Sequence, residues 1–240
     1  MDYYEAIRER HSVRKYLDRP IEAEKIEKIQ QLIDECNRDS GLHIQLVTNE
    51  PLAFSTGLFK YGAFSGVRNY LAFVAPKKGS HKEAIGYYGQ KIVLLMQMLG
   101  LNSCWVALTF KNIKNAYKLR EGEELKLVVA CGYGTTNGVQ HPQKKGLEDL
   151  YRDERTQRGL TLPDWFLRGM EAAMLAPTSL NQQKFLFTLH DGIPSSNNST
   201  VIYKVSAKAK FDLFGYAPYD LGIVKCNFEL AAGKEHFEWV

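Results

Sequence analysis

Residues 176–185 read Ala176-Pro177-Thr178-Ser179-Leu180-Asn181-Gln182-Gln183-Lys184-Phe185. The run follows Pro163 to Leu175, an apolar stretch of helical periodicity, and leads into Phe185 to Leu189 (FLFTL), which has strand composition. Pro177 ends the helix. The polar residues after it, Thr178, Ser179, Asn181, Gln182 and Gln183, can all donate or accept hydrogen bonds. Two readings stay open on the residues alone. The set could bind the edge of a planar heterocycle rich in carbonyls and ring nitrogens, or it could be a connecting loop that satisfies its own backbone.

Helix, loop and strand occur in the same order earlier in the chain. Pro20 opens a helix with Ile26, Ile29, Leu32, Ile33 and Cys36 at helical spacing, Gly41 stops it, and His43 to Thr48 (HIQLVT) reads as a strand. A second likeness follows. His81 to Leu99 is a long apolar helix closed by Gly100, with Trp105 beyond it in the buried-strand pattern Ser103 to Leu108. YAPYDLGIVKCNFELAAG (216–233) again has an aromatic start, an apolar body and a glycine end, with Trp239 beyond it; Asp220 is its expected N-cap. This is a weak internal repeat. It divides the chain into 1–150 and 151–240, two unequal halves meeting in the polar segment 150–162 and able to pack about a pseudo-two-fold as subunits do. Tyr70 to Ala75 and Leu125 to Cys131 complete the expected strands. The loops Phe54 to Gly66 and Gly132 to Gly146 are glycine-rich, and the second carries His141-Pro142-Gln143-Lys144-Lys145.

At the start, Asp2 and Glu5 form a capping-box pattern for a helix that runs on into Arg8, Arg10, His11, Ser12, Arg14 and Lys15. Arg10-His11-Ser12-Val13-Arg14 places two guanidiniums, an imidazole and a hydroxyl within five residues. Guanidinium forks match phosphate oxygens; equally, cations at a helix C-terminus complement the macrodipole. Gly100 to Ala107 reads as a helix cap entering buried core, and the Lys144-Lys145 pair as a solvated loop.

Composition narrows the classes. The 240 residues are 45% hydrophobic and 24% charged, which is globular rather than disordered or fibrous. A net charge of +4 suits an anionic ligand and is too small to argue for nucleic acid. Cys36, Cys104, Cys131 and Cys226 form no CxxC pair and sit among apolar residues, as expected in a reducing compartment. The first residues are charged, without a secretory apolar segment, and no run of eighteen apolar residues occurs. No dinucleotide fingerprint, P-loop, nucleophile elbow or metal-spaced histidine pair is present. A cytoplasmic protein is the expectation.

Taken together, Arg10 to Arg14 (RHSVR), Gly100 to Trp105 (GLNSCW), the basic segment Cys131 to Lys145 and Ala176 to Phe185 (APTSLNQQKF) resemble the FMN-dependent nitroreductase family, over most of the chain. In that family the APSxxNxQPW-type loop follows the first such helix. Here it stands in the second half, and CNRDSGLHIQ occupies the corresponding place in the first. The chain is similar to an internally duplicated branch of the family. The resemblance implies an α+β, nitroreductase-like fold: a mostly antiparallel central sheet flanked by helices, in two pseudo-symmetric halves.

It implies an FMN oxidoreductase in which NAD(P)H reduces the flavin and a nitroaromatic, quinone or similar acceptor then reoxidises it, a ping-pong sequence. Arg10, Ser12 and Arg14 would hold the phosphate and ribityl end, with His11 and Lys144 or Lys145. Pro177, Thr178, Ser179, Leu180, Asn181 and Gln183 would form the flavin loop. Trp105, Val106, Ala107 and Leu108 would line the N5 side through backbone groups, and no side chain need be a proton-transfer catalyst. Lys184 and Phe185 replace the family's Pro and Trp. The duplication implies one FMN per chain, completed within a monomer rather than an obligate homodimer. Two other classes remain: a flavin-binding carrier or sensor without steady reductase turnover, and a cofactor-free scaffold. No nucleic-acid or membrane partner is implied.

Overall fold

The computed structural model describes residues 1–55, 64–156, 159–194 and 201–240. Most of the expected loop Phe54 to Gly66, and part of the junction 150–162, therefore lie outside the described residues. The chain divides into two compact units, Met1–Asp2 with Glu9–His81 and Lys91–Gln140, and Tyr3–Arg8 with Lys82–Gln90 and His141–Val240.

The first unit is built on a four-stranded antiparallel sheet. Its strands are β1 (His43–Val47), β2 (Asn69–Pro76), β3 (Asn102–Val106) and β4 (Glu123–Gly132), ordered β1-β2-β4-β3. Leu71 pairs with Val129 and with Leu46, so β2 is interior, and Asn69 to Ala75 is buried throughout. That explains its unbroken apolar sequence. After α1 (Tyr3–Glu9) comes α2 (Ala23–Ser40), which buries Ile29, Ile33 and Cys36, one stripe of a 3.6-residue period. Gly41 ends α2 in the left-handed region, φ 70°, where its N–H reaches Asn37 O. The core gathers Val13, Tyr16, Val47, Phe54, Tyr70, Val106 and Val128.

Two expectations shift here. The first helix stops at Glu9, so Arg10 to Lys15 is not helical. Val13 N–H donates to Ser103 O (3.0 Å), Tyr16 N–H to Ser65 O (2.9 Å) and Leu17 N–H to Tyr133 O (2.7 Å). Those interstrand-type bonds outcompete a further helical turn, which would expose Val13 and Tyr16. The strand expected at Ser103 to Leu108 spans Asn102–Val106, because Ala107 and Leu108 leave the sheet; Leu108 is 70% exposed.

The second unit carries β5 (Tyr151–Asp153), β6 (Phe185–Pro194), β7 (Val201–Ala209) and β8 (Phe237–Trp239) in that order. The β6–β7 pair is antiparallel; β5–β6 and β7–β8 are parallel. The central sheet expected from the sequence is thus two four-stranded sheets, with four of six pairings antiparallel. α3 (Lys82–Met98) contributes its first residues to this unit, along with α4 (Asp164–Met174) and α5 (Ala217–Ala232). Phe166 on α4 and Phe228 on α5 meet edge-on over Phe187 of β6 and Trp239 of β8. Gly222 of α5 and Gly86 of α3 let the backbones touch: a Cβ on either would collide with a carbonyl oxygen, of Glu83 or of Tyr219. Gln90 donates to Asn227 Oδ1 (2.9 Å), and Asn227 to Ala172 O (3.0 Å), so buried amides link the helices here.

The N-terminus of α5 differs from expectation. Asp220 is not its cap; the helix begins at Ala217, and Asp212 accepts from the N–H groups of Gly215 (2.5 Å), Tyr216 (2.8 Å) and Ala217 (2.6 Å). The turn at Gly215, φ 70°, folds the chain back so that the earlier aspartate reaches the orphan donors.

Candidate functional site

Two stretches, one in each unit, carry the residues singled out above. In the first unit the extended segment Arg10 to Arg14 runs beside β3, with Ser12 opposite Ser103 in a parallel bridge. Val13 and Tyr16 enter the core, while Arg14 and Lys15 stay exposed. The Tyr16 hydroxyl donates to Val13 O (2.8 Å) and lies 3.2 Å from Ala130 O, which pins the segment.

Arg10 is the buried charge of this segment. It is 6% exposed, and its Nη1 has no hydrogen-bond partner among the described residues. Desolvation pushes its pKa down to about 10, opposed by Cys104. At neutral pH it is therefore a buried cation with an unmet donor, an arrangement that costs free energy unless an anion meets it. Beneath it, burial pushes the Cys104 thiol up, while Arg14, a hydrogen bond from Ser12 and Arg10 pull the other way. His11 packs under Gly138, where a Cβ would stand 2.8 Å from the His11 Cβ; Gly138 has φ +77°.

Downstream on β3, Trp105 stacks on Phe73 with ring centroids 5.3 Å apart and 14° between planes. Val106 belongs to the core. Of the four residues Trp105 to Leu108, the first two spend their side chains on packing. Ala107 and Leu108 leave the sheet, with Leu108 exposed.

In the second unit the loop after α4 is a strained turn. Leu180, Asn181 and Gln183 all have positive φ, at 52°, 52° and 49°. Three non-glycine residues in the left-handed region within four positions is a costly backbone. Several groups hold it. Asn181 N–H reaches Thr178 O (2.9 Å), Gln183 N–H the Thr178 hydroxyl (3.1 Å), and the Asn181 amide donates to Pro142 O (2.9 Å). Ser179 N–H points at both carboxylate oxygens of Asp220, 3.0 and 2.9 Å away.

Gln183 is fully buried and fully used. Its Nε2 donates to Gln143 Oε1 (2.5 Å) and Met174 O (3.3 Å), and its Oε1 accepts from Lys144 N–H (3.1 Å). The two lysines of the basic segment also serve the loop: Lys144 Nζ donates to Leu180 O (2.8 Å) and Lys145 Nζ to Gln183 O (2.6 Å). Burial lowers the Lys145 pKa, and Lys210 adds to that. The structure therefore joins Lys144 and Lys145 to Pro177 through Gln183 as one assembly, and joins Arg10 through Arg14 to β3 as another.

Sequence reasoning missed Gln143 and Asp212 and gave Asp220 the wrong task. The signal for Asp212 was present: an aspartate three residues before Gly215, with Pro218 entering a helix. For Gln143 no local signal exists; its role depends on a partner forty residues away.

The family model described as "Putative TM nitroreductase" matches residues 2–232. The chain belongs to this nitroreductase family. Among solved structures, a "putative nitroreductase" from Thermotoga maritima aligns with a TM-score of 0.56 at 19% identity, over 96% of this chain and 83% of that one. A "putative NADH dehydrogenase/NAD(P)H nitroreductase" from Bacteroides thetaiotaomicron aligns at 0.49 and 21% identity, over 62% and 95%. A "putative nitroreductase in complex with FMN" from Desulfovibrio desulfuricans aligns at 0.46 and 17%, over 67% and 98%. No curated protein gives a significant match. The first of these structures supports the nitroreductase-like α+β fold. Among the described residues, no helix is long and apolar enough to cross a membrane, and no cluster of His, Cys, Asp or Glu could hold a metal ion.

Proposed function

We propose that this nitroreductase-family protein is an FMN-dependent oxidoreductase. The observation that carries the reading is Arg10: a buried guanidinium, still charged at neutral pH, with an unpartnered Nη1. Such a group fits a phosphate, and FMN brings one. When bound, FMN supplies two-electron chemistry, accepting reducing equivalents from NAD(P)H and releasing them to a nitroaromatic, quinone or similar acceptor in ping-pong order.

The chain's own residues bind and orient. Arg10, with Ser12 and Arg14 on the same extended segment and His11 beside them, holds the phosphate and ribityl end. Thr178, Ser179 and Asn181 offer polar groups to the ring system. Pro177, Leu180 and Gln183 shape that loop, and the Lys144 and Lys145 ammonium groups, already bonded to its carbonyls, keep positive charge beside it. Backbone groups at Trp105 to Leu108 are assigned to the N5 side. No residue is assigned a proton-transfer role. One FMN per chain, held by a monomer, is the expected stoichiometry. A cytoplasmic location accords with four buried cysteines outside any disulfide.

Reconstitution tests this. Protein incubated with FMN and desalted should stay yellow at one flavin per chain, with colour in the monomer peak on light scattering. Anaerobic NADH or NADPH should bleach it. Colourless protein after reconstitution refutes flavin binding. Colour confined to a dimer peak refutes the single-chain site and leaves a domain-swapped one. Colour without bleaching identifies a flavin carrier.

A further inference from the structure

Asp220 lies in the first turn of α5, yet it does none of the work usual for an aspartate there. The helix N-terminus is already capped by Asp212, which takes the N–H groups of Gly215, Tyr216 and Ala217. Among the described residues, the hydrogen-bond partner of both Asp220 oxygens is the backbone N–H of Ser179 (3.0 and 2.9 Å). The carboxyl group is buried, at 6% exposure. The charges around it do not repay that burial. Asp212 is a like charge. Lys82 spends its ammonium on Gly215 O (2.9 Å) over the Tyr219 ring, Glu83 is paired with Lys225 (2.7 Å), and Lys144 is bonded to Leu180 O. A buried acid with one amide partner and no cation is a poor stabiliser of a fold. It is well placed to act on the loop it touches.

We propose that Asp220 is the positioning residue of the flavin loop: by accepting the Ser179 N–H, it holds the turn 178–183 in the strained conformation that presents Thr178, Ser179 and Asn181. The proposal rests on the flavin reading above for its function, and on geometry alone for its structural half. Ser179 immediately precedes Leu180 and Asn181, the first two positive-φ residues, so fixing its amide fixes where the left-handed turn starts. On the far side, Lys144, Lys145 and Gln143 hold residues 180 and 183. The turn is thus clamped at both ends, by a basic loop and by α5. Burial pushes the Asp220 carboxyl up to about 7, the Ser179 bond opposing and Asp212 adding to it. The neutral acid is therefore populated near neutrality, and a neutral isostere can occupy the site.

The test compares Asp220→Ala with Asp220→Asn, reading amide hydrogen exchange across 178–183 in the flavin-free protein and FMN affinity by fluorescence titration. The alanine variant should raise exchange at Ser179 and the following amides about tenfold or more while amides of α5 stay protected. It should weaken FMN binding by roughly ten- to a hundredfold, the loss expected for one hydrogen bond to a charged group. The asparagine variant keeps an acceptor and should restore both to within about threefold of wild type. If the alanine variant does not fold, Asp220→Ser takes its place, since its hydroxyl is too short to reach Ser179. Wild-type exchange in the alanine or serine variant overturns the proposal. So does equal disruption by the asparagine variant, or loss of protection spread along α5, which would make Asp220 a helix-packing residue. Failure of wild type to bind FMN refutes the flavin reading alone, because exchange at Ser179 still decides whether Asp220 holds the loop.

Discussion

The segment Arg10 to Arg14 and the loop Pro177 to Gln183, the two stretches assigned above to the flavin, are built on opposite principles. The first has an easy backbone, paired to β3 in extended conformation, and keeps an unmet charge at Arg10. The second has a strained backbone, with three residues at positive φ, and it is braced by bonds from Thr178, Ser179, Asn181 and Gln183 to groups inside the protein. The difference separates two ways of preparing a binding site. An unpaired donor stores free energy that an anion releases. A strained and cross-braced loop stores it as shape, which a ligand finds ready-made. Mutations should tell the two apart, because the first kind of site loses affinity without losing stability.

The largest effect should therefore come from the braced loop. Gln183→Ala removes a buried amide that pairs with Lys144, Gln143 and Met174, leaving unmet donors and a cavity. A loss of about 3–4 kcal/mol of stability is expected by chemical denaturation, with FMN affinity lost alongside. Arg10→Met should do the reverse. Apo stability should hold or rise by about 1 kcal/mol, since a buried unpaired cation is replaced by an apolar chain. FMN affinity should fall roughly a hundredfold. Arg14→Ala, at an exposed position in the same segment, should cost about tenfold, and Arg8→Ala on α1 nothing measurable. If Arg10→Met destabilises the apo protein as much as Gln183→Ala does, the contrast between the segments is wrong.

What was legible in the sequence follows from which residues act locally. Gly41 and Gly100 end their helices where expected, because a left-handed C-cap is a property of the residue itself. The buried run Tyr70 to Ala75 is a strand interior to a sheet, as its unbroken apolar character requires. The end of α1 was not legible. Nothing between Glu9 and Lys15 breaks a helix, and the extended path comes from pairing with Ser103 and Ser65, residues distant in sequence. β5 and β8 are three residues long, too short to show a period. β7 did carry a signal that was passed over, Tyr203, Val205, Ala207 and Ala209 alternating with Lys204, Ser206 and Lys208, although only Val205 of the strand is buried. At the site, residue types were legible and tasks were not. Gln183 ties the loop to 143–144, a long-range bond that the run 176–185 does not display. Lys144 and Lys145 bond the carbonyls of residues 180 and 183, partners that the run 141–145 does not announce. Which of two aspartates caps α5 depends on a turn at Gly215 that a linear pattern does not display.

A smaller effect distinguishes the two segments by pH. Asp220 beside the loop has a folded-state pKa of about 7, raised first by burial, against an ordinary value of 3.8. Between those values the folded protein keeps a proton that the unfolded chain has released. Its contribution to stability is therefore complete below pH 4 and is lost as pH rises through about 7. Asp220→Asn cannot titrate. The stability of wild type relative to this variant should fall by about 2–3 kcal/mol between pH 5 and pH 8. Arg10, charged throughout that window, should give no such slope when wild type is compared with Arg10→Met. A flat wild-type minus Asp220→Asn difference would show that the carboxyl is solvated rather than buried.

The smallest effect probes the strain itself. Leu180 is 63% exposed and sits at φ 52°, so its side chain contributes little packing while its backbone is held in a region that disfavours branched and bulky residues. Left-handed backbone costs a residue of this kind about 1–2 kcal/mol, and asparagine tolerates it better. Leu180→Asn should therefore stabilise the flavin-free protein by roughly 0.5–1 kcal/mol, a rise in Tm of about 1–4 °C in a chain of this size. FMN affinity should change by less than about threefold, because the Lys144 bond goes to the Leu180 carbonyl, which asparagine keeps. The same exchange made at Arg14, in the unstrained segment, should leave Tm unchanged and lower affinity instead. If Leu180→Asn lowers Tm, the turn is not under strain at that residue, and the bracing by Asp220 and Lys144 holds a loop that would adopt this shape unaided.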